Sequence, residues 1–289
     1  MANIFSLYGS IFIDNEKANK AIDGTTKKGE SFASKLGGVF SKVGKGALAL
    51  GGTLTTAATA IGGLAINTSK DVDQAMNSFI VQTGIAKNES GEWQKALEDI
   101  YKNNYGESFE DIANSMALAS QELYEFDPSQ IKAVTENALA LRDAFGVEVN
   151  ESIRATKALM TQFGISADEA YNLMAQGAQA GLDFSGELVD NINEYSVQFG
   201  KLGLSAEDMF NIFQSGADAG AWNLDKIGDA VKEFSIRAID GSKTTVEGFT
   251  KLGLNADTMA KKFAAGGDTA KEAFYQTIDA IKAMDDPVQ

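Results

Sequence analysis

The side chains of this chain leave a narrow choice of chemistry. It has no cysteine and no histidine in 289 residues. Thiolate nucleophiles, thiolate zinc sites and a disulfide framework are thereby absent. So are the commonest general base and the commonest metal ligand. Carboxylates remain. Adjacent acids stand at Asp168/Glu169, Glu207/Asp208 and Asp285/Asp286. A glycosidase needs two carboxylates facing each other across a cleft. The first two pairs instead follow a serine at what read as helix starts, where acids complement the positive end of the macrodipole. Asp183, Asp218 and Asp225 lie near glycine-rich turns and could offer calcium ligands, but the EF-hand spacing is absent. The turns Gly177–Gly181 and Gly216–Gly220 suggest a phosphate cradle, yet no P-loop lysine and no G-x-G-x-x-G after a strand accompanies them. Close helix approach and helix C-capping explain these glycines more simply. Trp93 and Trp222 read as core or packing residues, as do Phe199, Phe210, Phe213 and Phe234. No catalytic residue, cofactor or metal site is expected, and the chain reads as non-enzymatic.

The elements behind these residues are mainly helical. Only Pro128 and Pro287 interrupt the chain, and helix interiors reject proline. Phe5, Leu7, Gly9, Ile11 and Ile13 alternate with their neighbours, which predicts a short strand within residues 1–14. In residues 15–45 the period changes. Ile22, Thr25, Gly29, Phe32, Leu36, Val39, Val43, Gly46 and Leu50 are spaced by three and four, a heptad seam with lysines 27, 28, 35, 42 and 45 off it. Either one amphipathic helix lies on a globular body, or a self-associating, coiled-coil-like helix leads onward.

Residues 46–69, GALALGGTLTTAATAIGGLAINTS, carry no charge. As one helix of about 24 residues they would be about 36 Å long, enough for a hydrocarbon core of about 30 Å. Ala47, Gly51, Thr55, Thr59 and Gly63 recur every four residues, a small-residue face on which copies could pack. The four threonines lower its hydrophobicity. A buried hairpin, broken at Gly51-Gly52 or Gly62-Gly63, is the other reading.

Residues 70–289 read as an acidic helical region. Residues 1–70 hold eight lysines and four acids, +4, so the rest of a chain of net charge −15 carries −19. That balance argues against specific nucleic acid binding. Ser108 to Asp111, Ser166 to Glu169 and Ser205 to Asp208 match the capping box. Asp127 is expected to cap a helix beginning at Pro128. GISADEAYNLMAQGAQAG from Gly164 recurs as GLSAEDMFNIFQSGADAG from Gly203, and the likeness continues through Leu188/Ile227, Ile192/Val231 and Tyr195/Phe234. A looser copy starts at Gly253, after an insertion around Asp240 to Lys251. The copies, near 164–202, 203–240 and 253–284, read as a capped helix, a small-residue turn and a second helix, units that must stack to bury an apolar face. The opening MANIFSLYGSIFIDNEK lacks the basic start of a secretory signal.

The order of these features resembles the N-terminal part and core region of phage tail tape measure proteins. It rests on SLYGSIFID, the lysine-rich seam, the uncharged run, DVDQAMNSFIVQTG, SFEDIANSMALASQEL and the two glycine-serine repeats. The resemblance implies a structural protein of a phage or phage-like tail bacteriocin. It would lie in the tail tube lumen, set tail length by its own extended length, and leave through the tip. The implied partners are copies of itself (a trimer or hexamer), the tail tube protein, tail assembly chaperones, baseplate or tip proteins, and the host membrane. Members of this family are usually much longer than this chain. Two other readings stand beside it: a membrane-active pore-forming effector with an acidic helical domain, and a helical repeat scaffold for a protein partner. In all three the working parts are segments, with Phe32, Leu36, Val39, Val43, Ala47, Gly51, Thr55, Thr59 and Gly63 as the self-association or membrane face.

Overall fold

The computed structural model describes residues 62–284. The expected strand, the heptad seam, most of the uncharged run and the last acid pair lie outside them. The described residues are mainly helical, with twelve α-helices and no strand among them. They fall into two compact units that divide between Arg154 and Ala155.

The first unit begins with α1 (Gly62–Thr83), which takes the last uncharged residues into a helix bearing Lys70 and Asp71. A 3-10 turn at Lys87–Glu89 and α2 (Gly91–Lys102) follow, then α3 (Phe109–Glu122), α4 (Pro128–Phe145) and the start of α5 (Val149–Phe163). Val72, Ala75, Met76 and Phe79 recur at helical spacing and are buried, and α1 packs on α3. Ile112 and Met116 of α3, Leu97 and Ile100 of α2, and Ile131 and Leu139 of α4 complete the core. Asp127 caps α4, with Pro128 at its first position, and Gln130 returns a bond to the Asp127 N–H. The Ser108 box is only half made. Ser108 Oγ accepts the Asp111 N–H at 3.1 Å. The Asp111 carboxylate, however, accepts from Glu107 N–H and from Arg142 of α4. A charge-assisted bond from the guanidinium Nη1, shared by both carboxylate oxygens, is a stronger partner than one more backbone amide.

The second unit contains α6 (Ala167–Gln179), α7 (Leu188–Lys201), α8 (Ala206–Asp218), α9 (Leu224–Arg237), α10 (Lys243–Lys251), α11 (Ala256–Ala265) and α12 (Gly267–Lys282). The repeat has a direct physical meaning here. Ser166 and Ser205 each make complete capping boxes, with Glu169 and Asp208. Helices α6 and α8 end in the same way. Gly181 and Gly220 take φ of +82° and +90°. Leu182 N–H bonds Gly177 O at 2.9 Å, and Ala221 N–H bonds Gly216 O at 3.0 Å. This is the Schellman closure, which a residue with a Cβ would strain.

Gly177 and Gly216 answer to a different constraint. A Cβ on Gly177 would sit 2.9 Å from the Phe210 ring, and one on Gly216 would sit 2.5 Å from Ile227 Cδ1. Gly177 also faces Leu188, so each glycine receives the Leu188/Ile227 member of its own copy. Between copies, Tyr195 reaches Asp225 and Asp229 while Gln198 reaches Ser235. Contacts that advance together along both helices make α7 and α9 parallel neighbours. The insertion forms α10, which buries Phe249 against Phe263 of α11.

Candidate functional site

The acids expected at helix starts carry their charge into capping. Glu169 accepts from the Ser166 N–H at 2.8 Å, and these bonds hold its carboxyl below the ordinary range. Asp183 Oδ1 accepts the Leu188 N–H, Asp218 accepts from Gln214, and Asp225 accepts the Tyr195 hydroxyl. Among the described residues no group of three or more acids could hold a metal ion. The Asp168/Glu169 and Glu207/Asp208 pairs each belong to the first turn of their own helix.

Two polar networks tie distant helices together. Asp208 accepts the N–H of Ser205, the Lys271 ammonium and the Tyr275 hydroxyl, the last at 3.0 Å. Burial opposes its ionisation, but Lys271, Ser205 and Tyr275 outweigh it, so its pKa lies below the ordinary value. Burial, and then the charge of Asp208, push the Tyr275 hydroxyl up. In the second network Tyr195 stands within 2.8 Å of Asp225 and 3.1 Å of Asp229, with Lys232 Nζ 5.7 Å from its ring centre. Burial and these two carboxylates raise its pKa strongly. Both networks are fixing devices. No spacing in the sequence announces their links between helices, because the residues so joined lie 30 to 67 positions apart.

Phe199, Phe210 and Phe213 are buried, and Phe234 meets Phe263 and Phe274 edge to face. Trp93 packs on Phe79 with ring centres 5.2 Å apart. Trp222 departs from the expectation of a core residue: it is 73% exposed. The Gly220 turn sends Ala221 inward and Asn223 to the cap of α9, leaving Trp222 between them to point outward.

Of the proposed self-association face, Phe32, Leu36, Val39, Val43, Ala47, Gly51, Thr55 and Thr59 lie outside the described residues, and Gly63 falls in α1. Among the described residues no helix is long and apolar enough to cross a membrane.

The model of a family described as phage-related minor tail protein matches residues 101–289, more than half of the chain. A stretch of 65 residues is 38% identical to a "Probable tape measure protein" of Streptomyces phage phiC31. That stretch is 22% of this chain and 9% of the phage protein, so the similarity covers a small part of a much longer relative. No solved structure matches.

Proposed function

Because this chain belongs to the phage-related minor tail protein family, a family of tail structural proteins, we propose that it acts as a tape measure within a phage or phage-like tail. The observation that carries this reading is the 65-residue likeness to a protein described as a probable tape measure protein. The repeated helix pairs agree with it: they are local units of chain, joined in series. In this reading the protein is not an enzyme. It lies in the lumen of the tail tube and sets tail length by its extended length. Copies associate through the seam of Phe32 to Val43 and the small-residue face of Ala47 to Gly63. Its other partners are the tail tube protein, the assembly chaperones and the baseplate or tip.

Tail length is the deciding measurement. At about 1.5 Å per helical residue, an in-frame deletion of the second repeat, about 39 residues, shortens tails by roughly 60 Å. Tails of unchanged length from the deletion strain, seen by electron microscopy, would reject the tape reading.

The uncharged run supports a second activity, entry into the host membrane on ejection. A peptide covering residues 30–70 is then expected to release dye from vesicles. Absence of leakage at micromolar peptide removes membrane entry from the proposal and leaves packing between copies.

A further inference from the structure

We propose that the end of the second unit formed by the α6–α7 and α8–α9 turns docks the lysine-rich segment, residues 27–45, of a second copy of this chain. Two exposed aromatic side chains mark this end. Phe184 is 48% exposed and Trp222 is 73% exposed, while Phe199, Phe213 and Phe274 of the same unit are almost wholly buried. Each follows a helix closed in the same way, at Gly181 and at Gly220. The parallel packing of α7 and α9 brings the two turns to one end of the helix pairs. Large aromatics left in water cost free energy that binding recovers, and tryptophan is the residue most enriched among binding hot spots.

Charge says what kind of partner fits. Residues 181–188 and 218–226 carry Asp183, Glu187, Asp218 and Asp225 against Lys226. The complement is a basic segment with apolar side chains at intervals. Residues 27–45 of the sequence have that composition: Lys27, Lys28, Lys35, Lys42 and Lys45 against Glu30, with Phe32, Leu36, Val39 and Val43 at seam spacing. A lysine ammonium over the Trp222 ring adds a cation–π contact. Copies of a chain with net charge −15 repel one another. A contact that joins the basic part of one copy, +4 over residues 1–70, to an acidic part of the next reverses that repulsion locally. Such a contact is heterologous, so copies can add in series. It goes beyond the tape reading and does not depend on it, since it concerns the purified chain alone.

The test places a photo-crosslinking residue at position 222 of the full-length chain, as Trp222→p-benzoylphenylalanine. The side chain is exposed, so the fold tolerates the change, and an unchanged circular dichroism spectrum confirms it. Light and isotopically heavy copies are mixed and irradiated. Expected are dimers whose cross-linked peptides join position 222 to residues 27–45 in mixed-isotope pairs. Their yield falls in about 0.5 M salt, where the Debye length shrinks to a few ångströms. Lys35→Glu with Lys42→Glu lowers it roughly five- to tenfold. Cross-links confined to other segments, or to single-isotope pairs, or absent altogether, overturn the proposal. A yield indifferent to salt and to lysine reversal does so as well.

Discussion

Asp208 and Lys271 are 63 residues apart in the chain and form an ion pair between the first turn of α8 and α12. The same carboxylate closes the capping box of Ser205 and takes the Tyr275 hydroxyl. One side chain therefore starts a helix in the second repeat and holds the third helix pair against it. Asp208 is 17% exposed and Lys271 34% exposed, so the pair is only partly screened by water.

Asp208→Asn is expected to lower the stability of the second unit by about 1–3 kcal/mol, the range for a charged, part-buried hydrogen bond with some solvent screening. The loss depends on pH. Because the folded pKa of Asp208 lies below its ordinary value, its contribution is present above the unfolded pKa and disappears as pH falls through the folded one. Urea unfolding at neutral pH and at stepwise lower pH measures this. The gap between wild type and variant narrows toward acid; a gap constant down to the acid limit contradicts the assignment.

Tyr195 and Tyr275 act at the other end of the scale. Both hydroxyls are held up by burial first, Tyr195 further by Asp225 and Asp229, Tyr275 by Asp208. A raised folded pKa contributes stability that is intact below the ordinary tyrosine pKa of about 10 and lost as pH rises beyond it. Phenolate absorbance of the folded chain is expected to lag behind that of its urea-unfolded form. In Tyr195→Phe and Tyr275→Phe the alkaline loss of stability becomes smaller. Normal titration of all tyrosines in the folded chain contradicts this.

Gly216, within the last turn of α8, and Gly220, just beyond its end, resist substitution for different reasons. Gly216→Ala drives a methyl into Ile227 and is expected to cost about 1–3 kcal/mol as overpacking. Gly220→Ala finds open space but keeps φ of +90°, a backbone cost of about 1–2 kcal/mol. Ile227→Val added to Gly216→Ala recovers part of the first loss. The same change added to Gly220→Ala recovers nothing. Thermal unfolding of the four variants separates a steric cause from a conformational one.

In the first unit Arg142 Nη1 lies 2.9 and 3.1 Å from the two Asp111 oxygens, and its Nε lies 3.0 Å from Asp143. Arg142→Lys keeps the charge but loses the planar fork. It is expected to cost about 1–2 kcal/mol, nearly as much as Arg142→Met. Full retention of stability by the lysine variant would show that charge alone matters at this site.

Local rules were legible in the sequence because they act over three or four residues. Helical spacing, the absence of proline, and the serine-to-acid intervals at Ser166 and Ser205 identify helices and their starts without knowledge of the fold. The repeat pairs Gly177/Gly216 and Gly181/Gly220 could be seen as equivalent, and their local reasons, close approach and left-handed capping, are the ones the structure shows. Ser108 was harder to read, since its motif is also that of a capping box, but Arg142 from another helix claims the acid.

The sequence by itself determined a helical, acidic, repeat-bearing chain without histidine or cysteine, because composition and short-range periodicity carry those properties. The tertiary structure decided which distant groups share a charge or a ring. Asp208 with Lys271, Tyr195 with Asp225, and Phe234 with Phe274 depend on how whole helices stack, not on any interval along the chain. It decided also that Trp222 faces water, because a left-handed glycine two residues earlier turns the backbone there. Direction at a turn follows from φ and from the helices on either side, and residue type alone does not encode it.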